Sequence, residues 1–131
     1  MNKKLKIIIT AVVVIIGIIL FVLFYLTRGL QEGENIDVND VDLSYLEDDG
    51  FYTGKFKFGR WSNEAKVTIE NKKIVDIEFT DDITLSQNEV KEEIIKKIID
   101  EQKIKVDVVS SATVTSKAYM KSVENALDIL R

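Results

Sequence analysis

Between Val106 and Ser122 the chain reads VDVVSSATVTSKAYMKS, in which six of seventeen residues are Ser or Thr and five of those fall between Ser110 and Ser116. The apolar spacing of Tyr119, Val123, Ala126, Leu127 and Leu130 predicts a helix starting near Thr115 or Ser116. Hydroxyls at such a junction suit two tasks. They can cap the helix by accepting from its first backbone N–H groups. Alternatively they can surround a phosphate, because those N–H groups lack intrahelical partners and the helix dipole adds partial positive charge there. Ser110, Ser111 and Ala112 are small enough for a ligand to approach the backbone, and Lys117 would bring a compact charge to the first turn. Spacing alone leaves both tasks open.

Other chemistries are closed to this chain. It has no cysteine and no histidine among its 131 residues, which removes disulfides, thiolate nucleophiles, the commonest zinc ligands and the usual general base. Redox or transfer chemistry would have to be carried by a bound cofactor. The neighbouring acids Asp48–Asp49 and Asp81–Asp82 read as solvated surface rather than as paired catalytic carboxylates.

The elements that must position the hydroxyl cluster can be read from periodicity. YTGKFKF, AKVTIE and KIVDIEF alternate apolar and polar residues and predict three strands in an antiparallel meander, with Asn71 in the turn between the second and third. Ser86 and Glu89 stand at capping-box spacing before a helix whose Val90, Ile94, Ile95, Ile98 and Ile99 form one apolar stripe. KIKVDVV then reads as an extended piece pairing with the sheet. The expectation is an α+β domain over residues 50–131, an antiparallel β-meander packed with two helices.

Residues 1–28 differ in kind. Ile7–Leu26 carry no charge over twenty residues, enough for a helix of roughly 30 Å, the thickness of a bilayer's hydrocarbon core. The run is longer than a signal-peptide core and no A-x-A-like site follows, so it reads as an uncleaved, single-pass anchor in the lipid bilayer. Lys3, Lys4 and Lys6 precede it, and every acidic residue lies beyond it; the expected orientation has the N-terminus in the cytoplasm and the domain outside. Residues 29–131 hold fourteen basic and twenty-two acidic residues, a charge of −8 that speaks against nucleic acid as a partner. Residues 29–49, acidic and aperiodic, read as a solvated linker.

DVVSSATVTS, from Asp107 to Ser116, resembles the D-x-x-[ST]-G-A-[TS]-x-[TS]-S signature of the FMN-binding domain family, and Gly50, Tyr52, Gly54 and the closing ENAL are similar to that family as well. The family includes flavin-carrying subunits of sodium-pumping NADH:quinone reductases and Rnf complexes, and small membrane-anchored extracytoplasmic proteins. The resemblance implies FMN as cofactor, joined by a flavin transferase through its phosphate to a hydroxyl, and electron relay between redox proteins of the membrane or the extracytoplasmic space. The acceptor position falls on Thr113, with Asp107, Ser110, Ser111, Ala112, Val114, Thr115 and Ser116 completing the cofactor-binding set. Ser111 stands where the signature has glycine, which leaves both a phosphoester and non-covalent binding open, as well as a flavin-free interaction domain. Trp61 and Tyr119 are either core anchors or flat walls beside the isoalloxazine.

Overall fold

Each of the three alternating stretches is a strand in the computed structural model, which describes residues 1–128: β1 (Gly50–Phe56), β2 (Asn63–Glu70) and β3 (Lys73–Asp81), antiparallel and in the order β1-β2-β3. Register pairs Gly54 with Ala65 and Val67 with Ile77, so the apolar set of all three strands shares one face. Ala65, Val67, Ile69, Ile74 and Ile77 are buried there. Asn71 and Lys72 both take left-handed φ, of 52° and 61°, which closes the β2–β3 hairpin in two residues. Asp49 accepts from the N–H of Asn71 at 2.8 Å and fastens this turn to the start of β1.

Two helices cover the buried face. Helix α3 (Asn88–Glu101) places Val90, Ile94 and Ile98 in the core, and α4 (Thr113–Leu127) crosses β1 and β2. The crossing is close because Gly54 has no side chain: a Cβ there would stand 2.1 Å from the backbone nitrogen of Ala126. Tyr119, Val123, Ala126 and Leu127 are buried as expected, while Leu130 lies outside the described residues. The domain is thus α+β, a three-stranded meander under two helices.

Three expectations change. Helix α3 starts without the capping box: its N-cap is Gln87 and no side chain bonds there. Helix α4 starts at Thr113, two or three residues before the apolar stripe suggested. Residues 103–109 form no strand, and side chains take two of their N–H donors. Lys105 N–H donates to Asp40 at 2.8 Å and Val109 N–H to the Ser116 hydroxyl at 3.1 Å. The β3 edge is met instead by one side chain. Gln102, at the left-handed C-cap of α3, accepts from the N–H of Ile74 and donates to its carbonyl, both at 2.8 Å. On the opposite outer strand Asn125 donates to the carbonyl of Lys55 at 2.8 Å.

The segment expected to be a solvated linker is packed. It contains a short helix α2 (Leu30–Glu34) and a 3-10 turn at Leu43–Tyr45, and it buries Val38 and Leu46 in the domain core. From Glu32 onward it belongs to the compact unit of the domain. It runs along α4 as a strap. Lys121 donates to the Asp37 carbonyl at 3.0 Å, and the N–H of Asn39 donates at 3.1 Å to Glu124, a carboxylate that is 1 % exposed and also paired with Lys121.

Residues 1–31 form a separate unit dominated by helix α1 (Lys3–Thr27), whose side chains are exposed throughout apart from a half-shielded Leu26 just inside its end. This helix is long and apolar enough to cross a membrane. Asn2 caps its start by accepting from the N–H of Lys4.

Candidate functional site

The hydroxyl cluster folds as a bracketed turn leading into α4. Ala112 N–H donates to the Val109 carbonyl at 2.8 Å, and Ser116 N–H to the Ala112 carbonyl at 2.9 Å. Ser116 closes the bracket from inside. Its hydroxyl donates to the Ala112 carbonyl at 2.7 Å while accepting from Val109, and the residue is fully buried. One member of the expected cofactor set therefore holds the turn together.

What the turn presents outward is a bare helix start. The N-cap is Ala112, which has no side chain to bond the first turn. Among the described residues, no hydrogen bond engages the N–H groups of Thr113, Val114 and Thr115, nor the hydroxyls of Thr113 and Thr115. Both threonines are half-exposed, and Ser110 and Ser111 are exposed beside them. The capping task is thus unfilled, and three donors with two hydroxyls converge where the helix dipole is positive.

The remaining residues of the set divide by what they touch. Val114 contributes its N–H, but its side chain is buried against Gly33 of the strap. Asp107 is exposed, and its carbonyl accepts from Lys97 at 3.2 Å, an ammonium shared with Glu93 at 3.0 Å. Lys117 does not turn toward the first turn of the helix: it donates to the carbonyl of Glu34. Ser111 is absent from the residues with left-handed φ, so its backbone is one any L-residue adopts and the missing glycine costs no conformational freedom here.

Trp61 and Tyr119 are core residues rather than open walls. Trp61 is 2 % exposed, with the Arg60 guanidinium 4.0 Å from its ring centroid and Phe58 at 5.7 Å. Tyr119 is fully buried against Phe79 at 4.4 Å. Its hydroxyl donates to Asp82 at 2.6 Å, and Asp82 also accepts from Lys91 at 2.8 Å and from the N–H of Ile83 at 2.7 Å. Burial, the hydrogen bond to Asp82 and that carboxylate's charge push the Tyr119 hydroxyl far above the ordinary phenol range. Burial alone would raise Asp82, but the bonds from Lys91, Tyr119 and Ile83 outweigh it and hold the carboxyl below its usual value. Periodicity marked Tyr119 as core but gave no sign of Asp82 as the keystone of the β3–α3 loop.

A small α+β domain with an uncapped, hydroxyl-ringed helix start is equipped for a ligand that carries a phosphate. Residues 60–128 match the FMN-binding domain family, and the chain belongs to that family. Its cofactor is FMN. No curated protein matches the chain. The residues present fit FMN at its phosphate end, through the free N–H groups of the first turn of α4 and the Thr113 and Thr115 hydroxyls.

Proposed function

We propose that the protein is a membrane-anchored, extracytoplasmic flavoprotein that carries FMN as a phosphoester on Thr113 and relays electrons between redox partners. The observation that carries the reading is the state of Thr113: first residue of α4, half-exposed, its hydroxyl and N–H both free of protein partners among the described residues. A flavin transferase would form the bond between the threonine oxygen and the FMN phosphorus while breaking that phosphorus's bond to a leaving group. The leaving group is the second phosphate of an activated flavin dinucleotide, which departs as a nucleoside monophosphate with the hydroxyl proton; the chain gains FMN less one water. The N–H groups of Val114 and Thr115 would be the donors that hold the phosphate, and Ser116 keeps the turn from unwinding. When bound, the isoalloxazine supplies the electron chemistry, accepting two electrons and releasing them singly. The anchor reading rests on α1, and the orientation on Lys3, Lys4 and Lys6 ahead of it with net −8 beyond it.

Intact-mass measurement tests this. Co-produced with a flavin transferase, the wild type gains the mass of FMN less one water. Thr113→Val removes the ester-forming oxygen while keeping the side-chain shape, and stays unmodified; Thr115→Val is modified like the wild type. A wild type that never gains this mass beside a transferase active on a control protein would sink the proposal. Loss of the adduct in Thr115→Val alone would move the acceptor to Thr115.

A further inference from the structure

Gly33 is buried in the strap, and its backbone does not explain the choice of glycine, since its φ is not left-handed. Space does. A Cβ at Gly33 would stand 2.4 Å and 3.0 Å from the two methyl carbons of Val114, and 3.3 Å from its Cβ. Rotating Val114 gives little relief, because a β-branched residue in a helix has one strongly preferred χ1 and the contact to Cβ remains. The next strap residue touches the same turn, since the Glu34 carbonyl receives Lys117. Two consecutive strap residues thus grip Val114 and Lys117, which lie three apart on one side of the first turns of α4. At about 100° per residue, Thr113 lies about 70° around the axis from the bearing midway between those two, and Thr115 about 130°. The strap flanks the threonine proposed as acceptor.

We infer that Gly33 is a positioning residue for the flavin site: by seating on Val114 it fixes the helix turn that presents the Thr113 hydroxyl. The inference rests on the reading of Thr113 as acceptor. Any side chain at position 33 displaces Val114, and Thr113 moves with it. A nucleophile displaced by a fraction of an ångström to an ångström reacts far more slowly than one held in place.

The test uses the full chain in detergent, with a flavin transferase, and follows the rate of FMN attachment by intact mass. Gly33→Ala is expected to slow attachment roughly tenfold or more. The double variant Gly33→Ala with Val114→Ala removes the two methyl groups and is expected to regain most of the rate. Leu46→Ala, a truncation of a buried strap residue beside Leu127 at the far end of α4, is the control for loss of stability: it lowers the melting temperature but leaves the rate near wild type. Amide exchange at Ser116, whose N–H bonds the Ala112 carbonyl, reports the turn without flavin; it should quicken several-fold in Gly33→Ala and recover in the double variant. Attachment by Gly33→Ala at the wild-type rate would overturn the inference, as would a Leu46→Ala variant slowed to the same degree. If the wild type itself takes up no flavin, the acceptor reading falls, and unchanged exchange at Ser116 would remove this inference as well.

Discussion

Serine occupies position 111 of a signature that elsewhere carries glycine, and its consequence is decided by one backbone angle. Because φ at Ser111 is not left-handed, a glycine would only widen the choices open to the unfolded chain. Ser111→Gly is therefore expected to lower stability by less than about 1 kcal/mol and to leave flavin attachment unchanged, as chemical denaturation and intact mass would show. A large gain in attachment rate would mean that the serine side chain obstructs the transferase. The spacing of Asp107, Ser110, Ala112 and Thr113 was legible in the sequence because it is local. The task of Ser116 was not, because it exists only once residues 109–112 have turned back to meet its hydroxyl.

Among the elements, strands were the easiest to read, since burial of one sheet face imposes a period of two on β1, β2 and β3. KIKVDVV carries the same local signal yet forms no strand. Side-chain acceptors take two of its N–H groups, Ser116 that of Val109 and Asp40 that of Lys105, and the second lies 65 residues away, beyond any short window. The Asp82 network is of the same kind, joining the end of β3 to α3 and α4 through Lys91 and Tyr119. It predicts how stability depends on pH. Asp82 titrates lower folded than unfolded, so its contribution is complete above the ordinary aspartate value of about 4 and is lost as pH falls through the depressed folded value. Tyr119 is the mirror case: raised in the folded state, its contribution is complete below about 10 and is lost as pH climbs beyond that. Urea midpoints followed by Trp61 fluorescence should fall at both extremes. Asp82→Asn should flatten the acid limb, and an acid limb unchanged in that variant would assign it to other carboxylates.

For the molecule as a whole, the strap changes where the domain must be cut. Removing residues 32–49 strips Val38 and Leu46 from the core, each worth about 2 kcal/mol of buried apolar surface, and takes the Asn39 N–H from the buried Glu124. A fragment of residues 32–131 should melt cooperatively and well above one of residues 50–131, by calorimetry or Trp61 fluorescence. Equal melting temperatures would mean that the strap is dispensable. The strap escaped sequence reading because its anchors, at positions 33, 36, 38 and 46, follow neither a helical nor a strand period. Orientation is tested on intact cells. Protease added outside should remove the domain, and its protection while an external control is digested would place the domain in the cytoplasm.

Copies held on a membrane through α1, as proposed, would crowd into a two-dimensional layer, where a sheet with open edges would zip to its neighbour strand by strand. Here each outer strand already carries a side-chain amide on its rim, Gln102 against Ile74 on one side and Asn125 against Lys55 on the other. A neighbouring chain would have to dislodge these amides before its own backbone could dock. The same glutamine that ends α3 thereby guards the β3 edge against an added strand.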